Sequence, residues 1–81
     1  MTKGEYRVGV NFNPSNDDMV SQIKRKAADL IDLIQMVPTP EPASLDPQFA
    51  EIKRLKALAQ TEIESAAMWA VKAVTKPPSQ N

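Results

Sequence analysis

Four prolines stand in the ten residues 38–47, PTPEPASLDP. Proline fixes φ and offers no N–H, so no helix runs through such a segment. The sequence on either side carries helical patterning. The chain must therefore fold as two helices that meet across a stiff connection. The expected class is all-α, an antiparallel helical hairpin joined by a loop of about ten residues, stiffer than a Gly/Ser linker.

The first helix is predicted over about 15–37. Pro14-Ser15-Asn16-Asp17-Asp18 reads as its start: Ser15 with Asp18 three residues on is a capping-box pattern, and the aspartates suit the positive end of the helix dipole. Val20, Ile23, Ala27, Leu30, Ile34 and Val37 recur at 3-4 spacing, the pattern of a coiled-coil seam. Met19, Ile31, Leu33 and Met36 add apolar surface that one partner helix cannot cover. The second helix is predicted over about 46–75, with Asp46 as N-cap and Pro47 at the first helical position. Its stripe is Phe49, Ile52, Leu55, Ala59, Ile63, Ala66, Ala70 and Ala73. At 1.5 Å per residue the second helix is about 43 Å long and the first about 30 Å. An overhang of Met68, Trp69, Val71 and Val74 would expose apolar area unless another copy covers it, so a homo-oligomer is expected.

Before the first helix, Val8, Val10 and Phe12 alternate with Arg7, Gly9 and Asn11, a period-2 signal for an extended segment. Residues 1–14 are read as an arm, 15–76 as the hairpin domain and 77–81, after Lys76-Pro77-Pro78, as a disordered tail.

An 81-residue chain makes one small domain, and without cysteine it has no disulfide staple. The absence of both histidine and cysteine removes the usual zinc and thiolate chemistry and implies no cofactor. Neither a signal-peptide pattern nor an apolar run of membrane-spanning length is visible, which predicts a soluble intracellular protein. The formal net charge is zero, which argues against bulk DNA binding. The sign is nevertheless segregated: 27–51 holds five acidic residues and no basic one, and the flanking segments are basic. That leaves room for a local site for a small anion.

Several groups could form one. Lys24-Arg25-Lys26 point about 100° apart round a helix, so only one or two can reach a single ligand; the alternative is a solvated face paired with Glu62 and Glu64. Lys53, Arg54 and Lys56 should meet Asp29 and Asp32 across the hairpin, with Arg54 the best exception because its fork suits phosphate. Phe12, between Asn11 and Asn13, either stacks on a base or staples the arm. Glu62 and Glu64 point to different faces and make a poor acid–base pair, and no glycine-rich phosphate loop exists. Trp69 reads as interface or core. On pattern alone this is a structural or adaptor module, a helical hairpin for oligomerisation.

The run Thr61 to Thr75, TEIESAAMWAVKAVT, together with the Phe12-Asn13-Pro14 turn and Lys26, resembles the phage anti-CBASS cyclic-oligonucleotide sponges, which share the Acb2/Tad1 hairpin domain. The likeness spans roughly Val10 to Thr75. It implies a bacteriophage protein without catalysis, acting in the host bacterial cytoplasm. Such proteins assemble as hexamers and sequester the cyclic dinucleotide and cyclic trinucleotide messengers, cGAMP among them, that bacterial defence cyclases make. The resemblance gives Phe12 and Lys26 the cyclic-dinucleotide role between paired subunits. The family's aromatic is often tyrosine; Phe12 keeps the stacking face and loses the hydroxyl. It gives Asn13, Arg54 and Thr61 the cyclic-trinucleotide role near a three-fold axis.

Overall fold

The computed structural model describes residues 1–41 and 46–79. Residues 42–45 of the expected loop and 80–81 of the expected tail lie outside the described residues. The described residues form three helices and no strand: α1 (Lys3–Val8), α2 (Asp18–Gln35) and α3 (Gln48–Val74). α2 and α3 make the hairpin. Their antiparallel sense shows in side-chain reach: Gln60 meets Ile31 and Gln35, while Lys56, one turn earlier in α3, meets Val37 and Thr39 beyond the end of α2.

The N-terminal segment is not extended. Lys3–Val8 is a helix, started by a complete capping box. The Glu5 N–H donates to Thr2 Oγ1 at 3.1 Å and the Thr2 N–H to Glu5 Oε1 at 2.7 Å. Gly9 ends it at φ 65°, in the left-handed region that glycine takes without strain, and its N–H closes on Glu5 and Tyr6 carbonyls. Two local stop and start signals outweigh the short alternation of Val8, Val10 and Phe12.

α2 begins at Asp18, later than the Ser15 start the pattern suggests, because Asp17 takes the cap: its carboxylate accepts the Met19 N–H at 2.8 Å. α3 begins at Gln48 with Pro47 at its N-cap, one residue later than expected, and Asp46 just before it accepts the Gln48 N–H at 2.9 Å. No basic residue sits in the last turn of α2. Lys56 of α3 serves there instead, donating to the carbonyls of Gln35 at 3.1 Å and Val37 at 2.6 Å.

α1 lies across one side of the hairpin. Gly4 is buried, and its N–H donates to Asp32 Oδ1 at 2.7 Å. A Cβ on Gly4 would stand 2.1 Å from the Ala28 carbonyl oxygen, so only glycine allows this approach. Glu5 pairs with Arg25 at 2.9 Å and Arg7 with Glu64 at 2.7 Å. Lys3 reaches Gln35 and Gln60.

The core is small. Among the described residues the buried apolar side chains are Val20, Ala28, Ile31 and Ala67, joined by Gln60, which is 1% exposed. Gln60 donates to the Ile31 carbonyl at 3.0 Å and to Gln35 Oε1 at 3.1 Å, and accepts from Lys3 at 2.8 Å, so its polar atoms are satisfied. The molecule measures 60 × 29 × 13 Å, little more than one helix thick.

The expected seams are displaced from this core. Of the predicted α2 line only Val20 is buried; Leu30 and Val37 are exposed. On α3, Leu55, Ala66 and Ala73 are exposed, and Ile52, Ala59, Ile63 and Ala70 are half-buried. Met19, Ile23, Lys26, Leu30 and Leu33, with Val37 just beyond the helix, follow one another in alternating steps of four and three, about 130° round α2 from the buried positions. The α3 stripe is turned in the same sense from Gln60 and Ala67. In antiparallel helices that brings both lines to one side, opposite α1. The apolar surface beside Met68 is likewise no overhang: Met68 and Val71 share a groove with Lys24 of α2, and it is the start of α3, near Phe49, that reaches beyond α2 to Thr39. Among the described residues no helix is long and apolar enough to cross a membrane.

Candidate functional site

The loop between α1 and α2 presents Phe12, 71% exposed. A turn holds it, with the Phe12 N–H on the Gly9 carbonyl at 2.9 Å. Lys24 projects from the first turns of α2 into this loop. Its ammonium donates to the carbonyls of Gly9, at 3.2 Å, and of Phe12, and stands 5.3 Å from the centre of the Phe12 ring. A cation at that distance is drawn to the ring face. The aromatic is thus fixed at its backbone and covered in part by a lysine. One broad surface of its ring stays open to solvent.

Asn13 is occupied within the loop. Its amide donates to the Asp17 carbonyl and to Ser21 Oγ, both at 2.9 Å, and its Oδ1 accepts from Ser15 at 2.6 Å. It splints the turn into α2. Asn16 beside it takes φ 57°, which asparagine tolerates.

Lys26 faces elsewhere. It is exposed and lines a shallow groove with Ser21, Gln22 and Arg25, whereas Phe12 lines another with Tyr6, Gly9 and Val10. Two residues along a helix turn a side chain by about 200°, so Lys24 meets Phe12 and Lys26 does not. Lys26 forms no hydrogen bond or ion pair with a described residue. Within one chain the structure separates Phe12 from Lys26.

Thr61 accepts from Arg7 at 3.3 Å, and Arg7 holds Glu64 in the same fork. These two close one end of a groove of about 200 Å³ that Lys24, Ala67, Met68 and Val71 complete. Thr61 is linked to α1 through Arg7 and does not itself line that groove. Arg54 lies about two helical turns away on α3, paired with Glu51 at 2.5 Å. Arg54 holds the Glu51 carboxyl below its ordinary range. Both partners are more than half exposed, so the pair contributes little stability.

The ion pairs expected across the hairpin are replaced by others. Arg25 takes Glu5 from α1 and Asp29 from its own helix; Asp32 serves the Gly4 amide; Lys56 caps α2. The Arg25 guanidinium, with the Thr2 N–H, holds Glu5 down to about 2. α1 supplied partners that the two-helix reading lacked. Sequence reasoning named Lys24 within a basic cluster but not its contact with the Phe12 loop, and it did not single out Arg7. No local spacing marks Lys24 as the partner of Phe12, but Thr2-x-x-Glu5 followed by Gly9 is a legible helix signature that places Arg7 in a short first helix. Trp69 is 65% exposed, with Lys72 over its ring at 5.7 Å, and so is not core within one chain. Among the described residues no cluster of His, Cys, Asp or Glu could hold a metal ion.

Compared with known proteins, residues 4–75 match the family model of the Acb2/Tad1 hairpin domain. The match runs from the buried Gly4 to the last residue of the α3 cap, and so takes in all three helices. No curated protein and no solved structure matches the chain.

Proposed function

The chain belongs to the Acb2/Tad1 hairpin-domain family, and from that premise we propose that it is a phage anti-CBASS sponge, which binds cyclic oligonucleotide messengers and holds them without cleaving them. The family match over 4–75 carries the reading. The exposed ring of Phe12 and the unpaired ammonium of Lys26 support it, since one suits a nucleobase and the other a phosphate.

The separation of those two side chains bears on mechanism. Phe12 and Lys26 line different grooves of one chain, so a cyclic dinucleotide that touches both takes them from different copies. A two-fold interface presents each residue twice, matching two bases and two phosphates. The bare apolar side of the hairpin, with Lys26 in its 4-3 line, is the surface on which copies would pair. In the family's manner the assembly is a hexamer in the host bacterial cytoplasm. A cyclic trinucleotide would use Asn13, Thr61 and Arg54; Arg54 lies so far along α3 that it too would come from a neighbouring copy. A ligand acceptor reaching the Asn13 amide N–H groups must take over one of the bonds to Asp17 or Ser21, whereas Oδ1, with Ser15 on one lone pair, can accept a further donor.

Calorimetry with 3′,3′-cGAMP and with a cyclic trinucleotide tests the reading, followed by heat denaturation and recovery of the messenger. The expected result is saturable uptake and release of intact ligand, with Lys26→Ala weakening dinucleotide uptake about tenfold or more while the assembly keeps its mass. Absence of uptake of either messenger class by an intact oligomer would instead establish the adaptor reading, which the bare apolar side also favours. Degraded messenger would make the protein an enzyme.

A further inference from the structure

At the loop end of the hairpin, away from Phe12, Lys3, Lys53 and Lys56 line one groove of about 360 Å³ together with Thr39, Phe49 and Gln60. None of the described residues lining it carries a carboxylate. This sets it apart from the three arginines of the fold. Arg7 faces Glu64, Arg25 faces Glu5 and Asp29, and Arg54 faces Glu51.

The groove lysines are positioned by neutral atoms. Lys3 is held by the side-chain oxygens of Gln35, at 2.9 Å, and Gln60, at 2.8 Å. Lys56 is held by the carbonyls of Gln35 and Val37 and by Thr39 Oγ1 at 3.2 Å. Lys53 stands 5.2 Å from the centre of the Phe49 ring. Such contacts fix an ammonium group without cancelling its charge. Like charges gathered in a concave site repel each other and raise its affinity for an anion.

We propose that this groove binds a small phosphomonoester, with the phosphate among the three ammonium groups and the organic part along Phe49. A phosphate dianion brings three terminal oxygens and a charge near −2; Lys53 and Lys3 keep N–H groups to donate, and Lys56, whose three N–H groups are taken by Gln35, Val37 and Thr39, adds its charge. A carboxylate brings two oxygens and one charge. The groove exceeds what a bare phosphate fills, and Phe49 gives the remainder an apolar wall. The site shares no residue with the messenger groups Phe12, Lys26, Asn13, Arg54 and Thr61, and it stands or falls independently of them.

The test is a titration of the ¹⁵N-labelled full chain with phenyl phosphate, beside benzoate and inorganic phosphate. Saturable shifts are expected at Thr39, Phe49 and Gln60, tightest for phenyl phosphate. Lys53 makes no hydrogen bond in the fold, so Lys53→Gln should leave the circular dichroism melt unchanged. It should weaken phenyl phosphate about tenfold. Uptake of 3′,3′-cGAMP by Lys53→Gln should equal that of the parent chain. Absence of saturable shifts, benzoate binding as tightly as phenyl phosphate, or undiminished affinity in Lys53→Gln would each overturn the proposal.

Discussion

The two sides of the α2·α3 hairpin are built from different chemistry. The side under α1 is polar and closely fitted: a glycine against a backbone carbonyl, a buried glutamine with every polar atom engaged, and ion pairs from Glu5 and Arg7. The other side is apolar and bare, with Leu30, Leu33, Val37 and Leu55 exposed beside a run of alanines. The covered side needs directional contacts because it receives one particular short helix in one register. The bare side needs only area and small residues, which suits the approach of another copy of the same surface. With four buried apolar side chains among the described residues, the single chain is thinly cored, and covering the bare side would supply the burial it lacks.

If the two sides are independent, changes under α1 should loosen α1 alone. The largest effect is expected from Gly4→Ala, whose methyl meets backbone; α1 docking should lose about 3 kcal/mol, read as lost hydrogen-exchange protection in Lys3–Val8. Thr2→Ala removes the cap of α1 and should cost about 1 kcal/mol by the same measurement. Acid should act on the Glu5–Arg25 contact. The Glu5 pKa is lowered in the fold from 4.5 to about 2, so its contribution is present above pH 4.5 and is lost as pH falls toward 2. Chemical shifts of α1 should move over that window while those of the α2·α3 contact stay fixed. The smallest effect on α1 is expected from Leu33→Ser on the bare side, within about 0.5 kcal/mol. That variant should nonetheless lower the mass of the assembly in analytical ultracentrifugation, where Gly4→Ala should not. Equal loss of α1 protection in Leu33→Ser would show the two sides to be one cooperative unit.

Much of this was legible in the sequence. The prolines of 38–47 and Asp46 before the second helix mark the hairpin, and the 3-4 spacing marks its apolar lines, while the first cap is Asp17 and not the expected Ser15. What those lines face could not be read. Periodicity locates a stripe on a helix but not its partner, and α1 claims a sector of α2 and α3 that a two-helix scheme gives to the hairpin seam. The contact line therefore moved to Val20, Ala28 and Ile31 and released Leu30 and Val37 to the surface. The site divides similarly. Phe12 is exposed and Lys26 forms no hydrogen bond or ion pair with a described residue, but the lysine that holds the Phe12 loop is Lys24. A tertiary contact across twelve residues leaves no mark in local spacing.

The cap that Lys56 places on the end of α2 has a consequence for how such chains can diverge. It ties the two long helices together directly, so their register does not hang on the segment that joins them. The joining segment is thus free to lengthen, shorten or receive a whole inserted domain over generations, while the lysine keeps the hairpin in step.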